Sequence, residues 1–362
     1  GVLDHARHQA AGGVALGQFA GLQEISMPWF WNIAELVEEN KGNPHFNIDN
    51  AIKEKAAEIK QKGATGLFIY NTSTIDDGIK FNGLDRSEPL SIPIIYFTKK
   101  ATATYLSDDA ATLDMSLKVA IEPKKRIGKN VIGFIDNGAP TTVVLGAHYD
   151  HLGYGEDGTS LYRNGPAQIH NGADDNASVS VALLAIGRAW AKKPGKRSAL
   201  FVWHGAEERG LLGSRWYAEH PTVNKQSIVA VLNGDMIGRN NPDSAALLGT
   251  QSPHKNSTDL VAMAYAANNE STHFKLDTLW DKKEHPEGWY FRSDHLPYAR
   301  AGIPSIFYTT LLHADYHTPR DEAKGIDIKK LQRMTEWMYR TGWMVSETKQ
   351  RPRLDEGFKL ER

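Results

Sequence analysis

From about residue 130 onward the chain alternates short, unbroken apolar runs with longer segments of helical period, a rhythm few folds accommodate. The runs "NVIGFI", "TTVVLGAHYD", "SALFVWHGAEE", "SIVAVLNGDMIG" and "IPSIFYTT" are apolar and rich in β-branched residues. The helical patterns are "NASVSVALLAIGRAWAKK", "GLLGSRWYAEH", "STDLVAMAYAANNE" and, closing the set, "DIKKLQRMTEWMYRTGWMVSE". Strands without polar alternation need cover on both faces. The pattern predicts an α/β fold with a mostly parallel central sheet covered by helices.

Residues 1–125 follow a different style. "NIDNAIKEKAAEIKQKGATGLFIYN" predicts an amphipathic helix, a stop at Gly63 and a buried strand ending at Asn71. "LSIPIIYFTKKATATYLSDD" predicts a further strand and a helix start, and the histidines and acids of this region form no cluster. The polar, basic "VAIEPKKRIGKN" marks a boundary. The expected organisation is an N-terminal segment over 1–125, a second domain over 126–350 and a polar tail over 351–362.

In open α/β sheets, ligands bind beyond the carboxyl ends of the strands. Those ends are where this sequence places its histidines and acids. "VVLGAHYDH" delivers His148 and Asp150, "VWHGAEE" delivers Glu207 and Glu208, and "VLNGDM" delivers Asp235. "SIFYTTLLHADYHTP" carries His317 beyond its strand, and "HNGADDNAS" sets Asp174 and Asp175 before a helix. Each has a bland reading: Asp175 or Asn176 as a helix cap, Asp235 or His317 as a turn residue, the Glu207–Glu208 pair as a helix first turn. All the bland readings would have to hold together.

Imidazole and carboxylate in one cluster suit zinc, with manganese or cobalt as substitutes. If Asp175, Glu208 and Asp235 are ligands alongside neutral His148 and His317, three negative charges overdraw one divalent ion. Two divalent ions with a hydroxide balance the count and leave the other acid of the pair to accept a proton. Other chemistries are excluded or unsupported. The chain has no cysteine, so a disulfide scaffold, a thiolate zinc finger and a cysteine nucleophile are ruled out. A formal net charge of −1 makes no electrostatic case for nucleic acid or an anionic membrane. No apolar run approaches the ~20 residues needed to span a bilayer. The chain opens without a start methionine, which fits a processed or trimmed product.

"GAHYDH", "GADDNAS", "GAEERGLLGS", "NGDMIG", "RSDH" and "DYHTP" stand in the order typical of the M28 zinc peptidases, and residues 127–347 resemble that family. Residues from about 45 to 120 resemble the protease-associated domain carried by its larger members. The resemblance implies His148 and Asp235 on one zinc, Glu208 and His317 on the other, and Asp175 bridging the two, with Asp174 a neighbour. It implies Glu207 as general base and then acid, Asp150 as the residue that orients His148, and Tyr316 as a donor to the oxyanion. His151, His170 and His204 are taken as structural or rim residues, and Arg163, Arg292 and Trp280 as solvated surface. The expected protein is a di-zinc exopeptidase of the periplasm or exterior acting on peptides, with aminopeptidase activity foremost. Carboxypeptidase or dipeptidase activity, a single-zinc glutaminyl-cyclase-like enzyme and a non-catalytic binding protein are the alternatives.

Overall fold

The computed structural model describes residues 13–16 (backbone only), 25, 27–43, 46–79, 90–106, 126–155, 158–162 and 165–360. The chain divides into two compact units, Gly1–Arg126 and Ile127–Arg362. Arg163, and the stretch from 107 to 125 that leads to the boundary, lie outside the described residues.

Among the described residues the first unit has four strands: β1 (Gly13–Leu16), β2 (Pro28–Asn32), β3 (Gly66–Tyr70) and β4 (Ile94–Phe97). They stand in the order β1-β4-β3-β2, with β2, β3 and β4 parallel and β1 antiparallel to β4. Its helices are α1 (Ala34–Glu39), α2 (Ile48–Gln61) and α3 (Lys99–Tyr105). Asn47 starts α2 by accepting the Asn50 amide at 3.1 Å, a favoured N-cap arrangement. Ile52, Ala56 and Ile59 then fall on one face and pack with Leu67, Ile69 and Ile94 of the sheet.

Among the described residues the second unit holds seven strands: β5 (Val131–Ile135), β6 (Thr142–His148), β7 (Ser198–His204), β8 (Ile228–Gly234), β9 (Ser244–Leu248), β10 (Lys275–Asp277) and β11 (Ser305–Thr309). Their order is β10-β9-β11-β8-β6-β7-β5. The central four, β11, β8, β6 and β7, are mutually parallel, while β5 runs antiparallel to β7 and β9 antiparallel to β11. The sheet is therefore mixed, though mostly parallel. Its helices are α4 (Ser178–Lys192), α5 (Leu212–Glu219), α6 (Thr258–Ala267), α7 (His295–Arg300) and α8 (Ile328–Glu347).

Both faces of this sheet are covered. Val179, Ile186 and Trp190 of α4 join Met334, Trp337 and Met338 of α8 in a core with Val143, Leu145 and Phe201. Tyr217 of α5 and Tyr298 of α7 pack with Val144, Leu200 and Val231. Residues 351–360, mostly exposed, are tied to the rest of the second unit: Asp355 accepts the Thr258 amide at 2.8 Å, and Arg353 pairs with Asp259 at 2.9 Å. Among the described residues no helix is long and apolar enough to cross a membrane.

Candidate metal centre

In register, His148 at the end of β6 lies beside His204 at the end of β7, so the carboxyl ends of the parallel strands form one rim. After β7 the chain turns at Gly205, where a Cβ would run into the Lys129 carbonyl. Ala206 follows at φ 57°, Met236 after Asp235 at φ 56°, and His317 itself at φ 53°. Three elements of the rim thus hold non-glycine residues in the left-handed region, which costs of order 1–3 kcal/mol each and concentrates at functional sites.

These turns bring the side chains together. His148 Nε2 lies 3.1 Å from Asp175 Oδ1 and 3.4 Å from Asp235 Oδ1. His317 Nε2 lies 3.3 Å from both Asp175 Oδ2 and Glu208 Oε2. The Asp175 carboxylate therefore gives one oxygen to each of two clusters. Two donors each about 2.1 Å from a tetrahedral ion lie roughly 3.4 Å apart, so these four separations are what two ligands of a common ion show. Both imidazoles are also prepared as ligands. The Nδ1 of His148 faces the Asp150 carbonyl at 3.1 Å, and that of His317 the Thr159 carbonyl at 3.1 Å. Each Nδ1 thus carries a proton, and Nε2 is the nitrogen left to face the acids and a bound ion. The donor set fits two divalent ions.

The electrostatics agree. Burial disfavours charge on His148, but Asp235, Glu207 and Asp175 outweigh it and hold the pKa well above the usual range. Burial likewise opposes charge on His317, while Asp175 and Glu208 push it up to about 10. Burial would raise Asp175, yet hydrogen bonds to His148 and His317 hold it far below an ordinary carboxylate. Asp235 is raised, chiefly by burial. A cluster that draws protons onto its imidazoles this strongly is one a divalent cation relieves. Glu207 stands apart: burial first, then Glu208, Asp294 and Asp235, raise it well above the usual carboxylate range against the pull of His148.

The other expected residues fall as follows. Asp150 meets His148 Nδ1 with its main-chain carbonyl at 3.1 Å, its carboxylate lying farther off at 3.8 Å. That carboxylate instead accepts the Glu207 amide at 3.0 Å and the Glu208 amide at 3.3 Å, fixing the turn that presents both acids. Asp174 points away from the cluster, accepting the Gly238 amide at 2.6 Å with its other oxygen 3.6 Å from His313. Tyr316 stacks flat on His317 with centroids 3.7 Å apart. His170 bonds Ser160 at 2.8 Å, and His204 sits 3.3 Å from the Tyr298 hydroxyl, both off the cluster. Arg292 pairs with Glu287 at the surface, and Trp280 is half-buried against Trp289 and His285.

The model of peptidase family M28 matches residues 130–341, more than half of the chain. This chain belongs to peptidase family M28. An aminopeptidase of Pseudomonas aeruginosa is 33% identical over 193 residues, covering 52% of this chain and 33% of that protein. A probable lipoprotein aminopeptidase, LpqL, of Mycobacterium tuberculosis is 29% identical over 259 residues, covering 70% of this chain and 47% of that protein. The chain thus spans between a third and a half of the length of these curated relatives. A zinc aminopeptidase from Bacillus subtilis shares the fold, with a TM-score of 0.54 at 19% identity over 96% of this chain and 86% of that structure.

Three residues of this M28 site were not anticipated. Asp321, fully buried, accepts the Asp174 amide at 3.0 and 3.1 Å and the Asp175 amide at 3.1 Å, tying the His317 loop to the Asp175 loop. Ser293 donates to Asp235 Oδ2 at 2.8 Å, within the "RSDH" motif that had no assigned role. His151, expected as a structural or rim residue, lies beside the second cluster, its Nδ1 2.7 Å from Glu208 Oε1 and 3.8 Å from Asp175 Oδ2, close enough for the three side chains to share an ion. β6 ends at His148, so strand alternation no longer sets which way position 151 faces.

Proposed function

We propose that this M28 peptidase is a two-metal aminopeptidase that removes N-terminal residues from peptides. The observation that carries the reading is the Asp175 carboxylate, whose two oxygens face two separate His–carboxylate clusters. His148 and Asp235 would hold one ion, His317 and Glu208 the other, and Asp175 both. Zinc is the metal we assign, with manganese or cobalt as substitutes. When bound, the ions would polarise the scissile carbonyl and lower the pKa of an attacking water.

The protein's own residues do the rest. Glu207 follows the turn held by Asp150, and its raised pKa makes it a stronger base than an exposed carboxylate. It would take the proton of the attacking water and return it to the leaving amine. Tyr316, held flat against His317, would donate to the developing oxyanion. We also read the first unit as protease-associated-like, supported by its helix α2 and its mixed four-stranded sheet. A periplasmic or secreted location is supported by the lipoprotein name of the mycobacterial relative.

A peptide panel with free and blocked termini, followed by mass spectrometry, tests the reading. Stepwise loss of residues from free N-termini, abolished by N-acetylation, is the expected result. Cleavage that instead requires a free C-terminus would replace aminopeptidase with carboxypeptidase activity.

A further inference from the structure

Three histidines reach the cluster, and one of them is turned the opposite way. His148 and His317 each give Nδ1–H to a main-chain carbonyl and aim Nε2 at the acids. His151 aims Nδ1 at Glu208 Oε1 at 2.7 Å, while its Nε2 is buried without a hydrogen-bond partner. An ionised carboxylate only accepts, so the proton between these atoms belongs to Nδ1. The distance separates His151 from the ligand pairs. Those stand 3.1–3.4 Å apart, as two donors on one ion do, whereas 2.7 Å is a charge-assisted hydrogen-bond length.

We propose that His151 is a positioning residue for the second metal: its Nδ1–H holds Glu208 Oε1, so that Oε2 is presented toward His317, and His151 does not itself ligate. The inference rests on the two-metal reading above. The ring is held in place from two sides. Gly172, at φ 61°, opens the Asp175 loop against it, and a Cβ there would sit 2.6 Å from His151 Cγ and 2.8 Å from Cδ2. His317 meets it edge-on at 5.8 Å between centroids. The Glu208 ligand, the His317 ligand and the loop carrying the bridging Asp175 are thereby set against one imidazole. A hydrogen bond to the non-coordinating oxygen fixes which oxygen faces the ion, and removing such support typically costs 10–100-fold in metal affinity.

The test uses three variants of the full chain and a zinc titration against a competing chelator, with the unfolding midpoint of the metal-free protein as control. His151→Asn keeps an N–H two bonds from Cβ, where Nδ1 stands; His151→Gln moves it outward toward the Nε2 position; His151→Ala removes it. The wild type is expected to take two ions. In the Ala and Gln variants the weaker ion should bind about 10–100-fold less tightly, with the Asn variant close to wild type. X-ray absorption of the cobalt-loaded Asn variant should show the same nitrogen count per metal as wild type. Wild-type affinity in the Ala variant would overturn the proposal. So would an Asn variant as weak as Ala with one nitrogen donor lost, which would make His151 a ligand. A wild type that takes fewer than two ions would remove the two-metal reading itself, and this inference with it.

Discussion

Replacing Asp321 by alanine should loosen the bridging carboxylate without touching any ligand. Its side chain is fully buried and receives the main-chain amides of Asp174 and Asp175 at 3.0–3.1 Å. The substitution leaves both amides without an acceptor, at about 1–3 kcal/mol for each buried, unsatisfied group, or about 2–6 kcal/mol together. Part of that should appear as lost stability of the metal-free protein. For a unit of this size, each kcal/mol lowers the unfolding midpoint by about 2–4 °C. The remainder should appear in metal binding. Asp175 faces both clusters, so both ions should bind about 10–100-fold less tightly. Asp321→Asn retains one acceptor oxygen and should fall between alanine and wild type. Differential scanning calorimetry of the metal-free protein and a chelator-competition titration provide the two readouts. An Asp321→Ala protein with the wild-type midpoint and wild-type affinity for both ions would refute the coupling between the two loops.

Two further outcomes follow from the same geometry. Asp150→Ala releases the Glu207 and Glu208 amides and should lower kcat far more than it changes KM; steady-state kinetics with unaltered kcat would show the turn to be indifferent to its carboxylate. His295 is fully buried, stacked on Phe307 at 4.9 Å, and burial pulls its pKa down to about 3 from 6.5. The unfolded chain therefore binds this proton first, so stability is intact above pH 6.5 and falls by about 1.4 kcal/mol per pH unit between 6.5 and 3. Urea unfolding at pH 7 and pH 5 should show a loss about 2 kcal/mol smaller in His295→Leu than in wild type, and equal losses would contradict it.

The rim was legible because its chemistry sits where apolar runs end. His148, Glu207, Glu208 and Asp235 all lie within four residues of a strand terminus. Less visible was whatever depended on pairing direction or on turns. β5 reads as an apolar run like its neighbours, yet it is an antiparallel edge strand with Val131 and Phe134 exposed. β9 is short, with two alanines among its five residues "SAALL", and β10 has three residues, so neither offers a window of β-branched side chains. α7 contains Pro297 in six residues and gives no helical period. Asp321 lies 146 residues from the amide of Asp175 that it holds, a relation no local pattern encodes. The contact of His151 with Glu208 was hidden for the complementary reason: it is close to His148 in sequence, but only the turn between them decides whether both face the acids.

The most direct test of the central claim is elemental analysis of zinc in wild type and Glu207→Gln, with turnover of a free-N-terminus peptide measured on the same samples. Two zinc ions per chain are expected in both proteins, with a kcat lower by about 10²–10⁴-fold in the variant, as follows from loss of a general base. Two ions with undiminished turnover would contradict the role of Glu207, and a single ion in the wild type would contradict the two-metal centre.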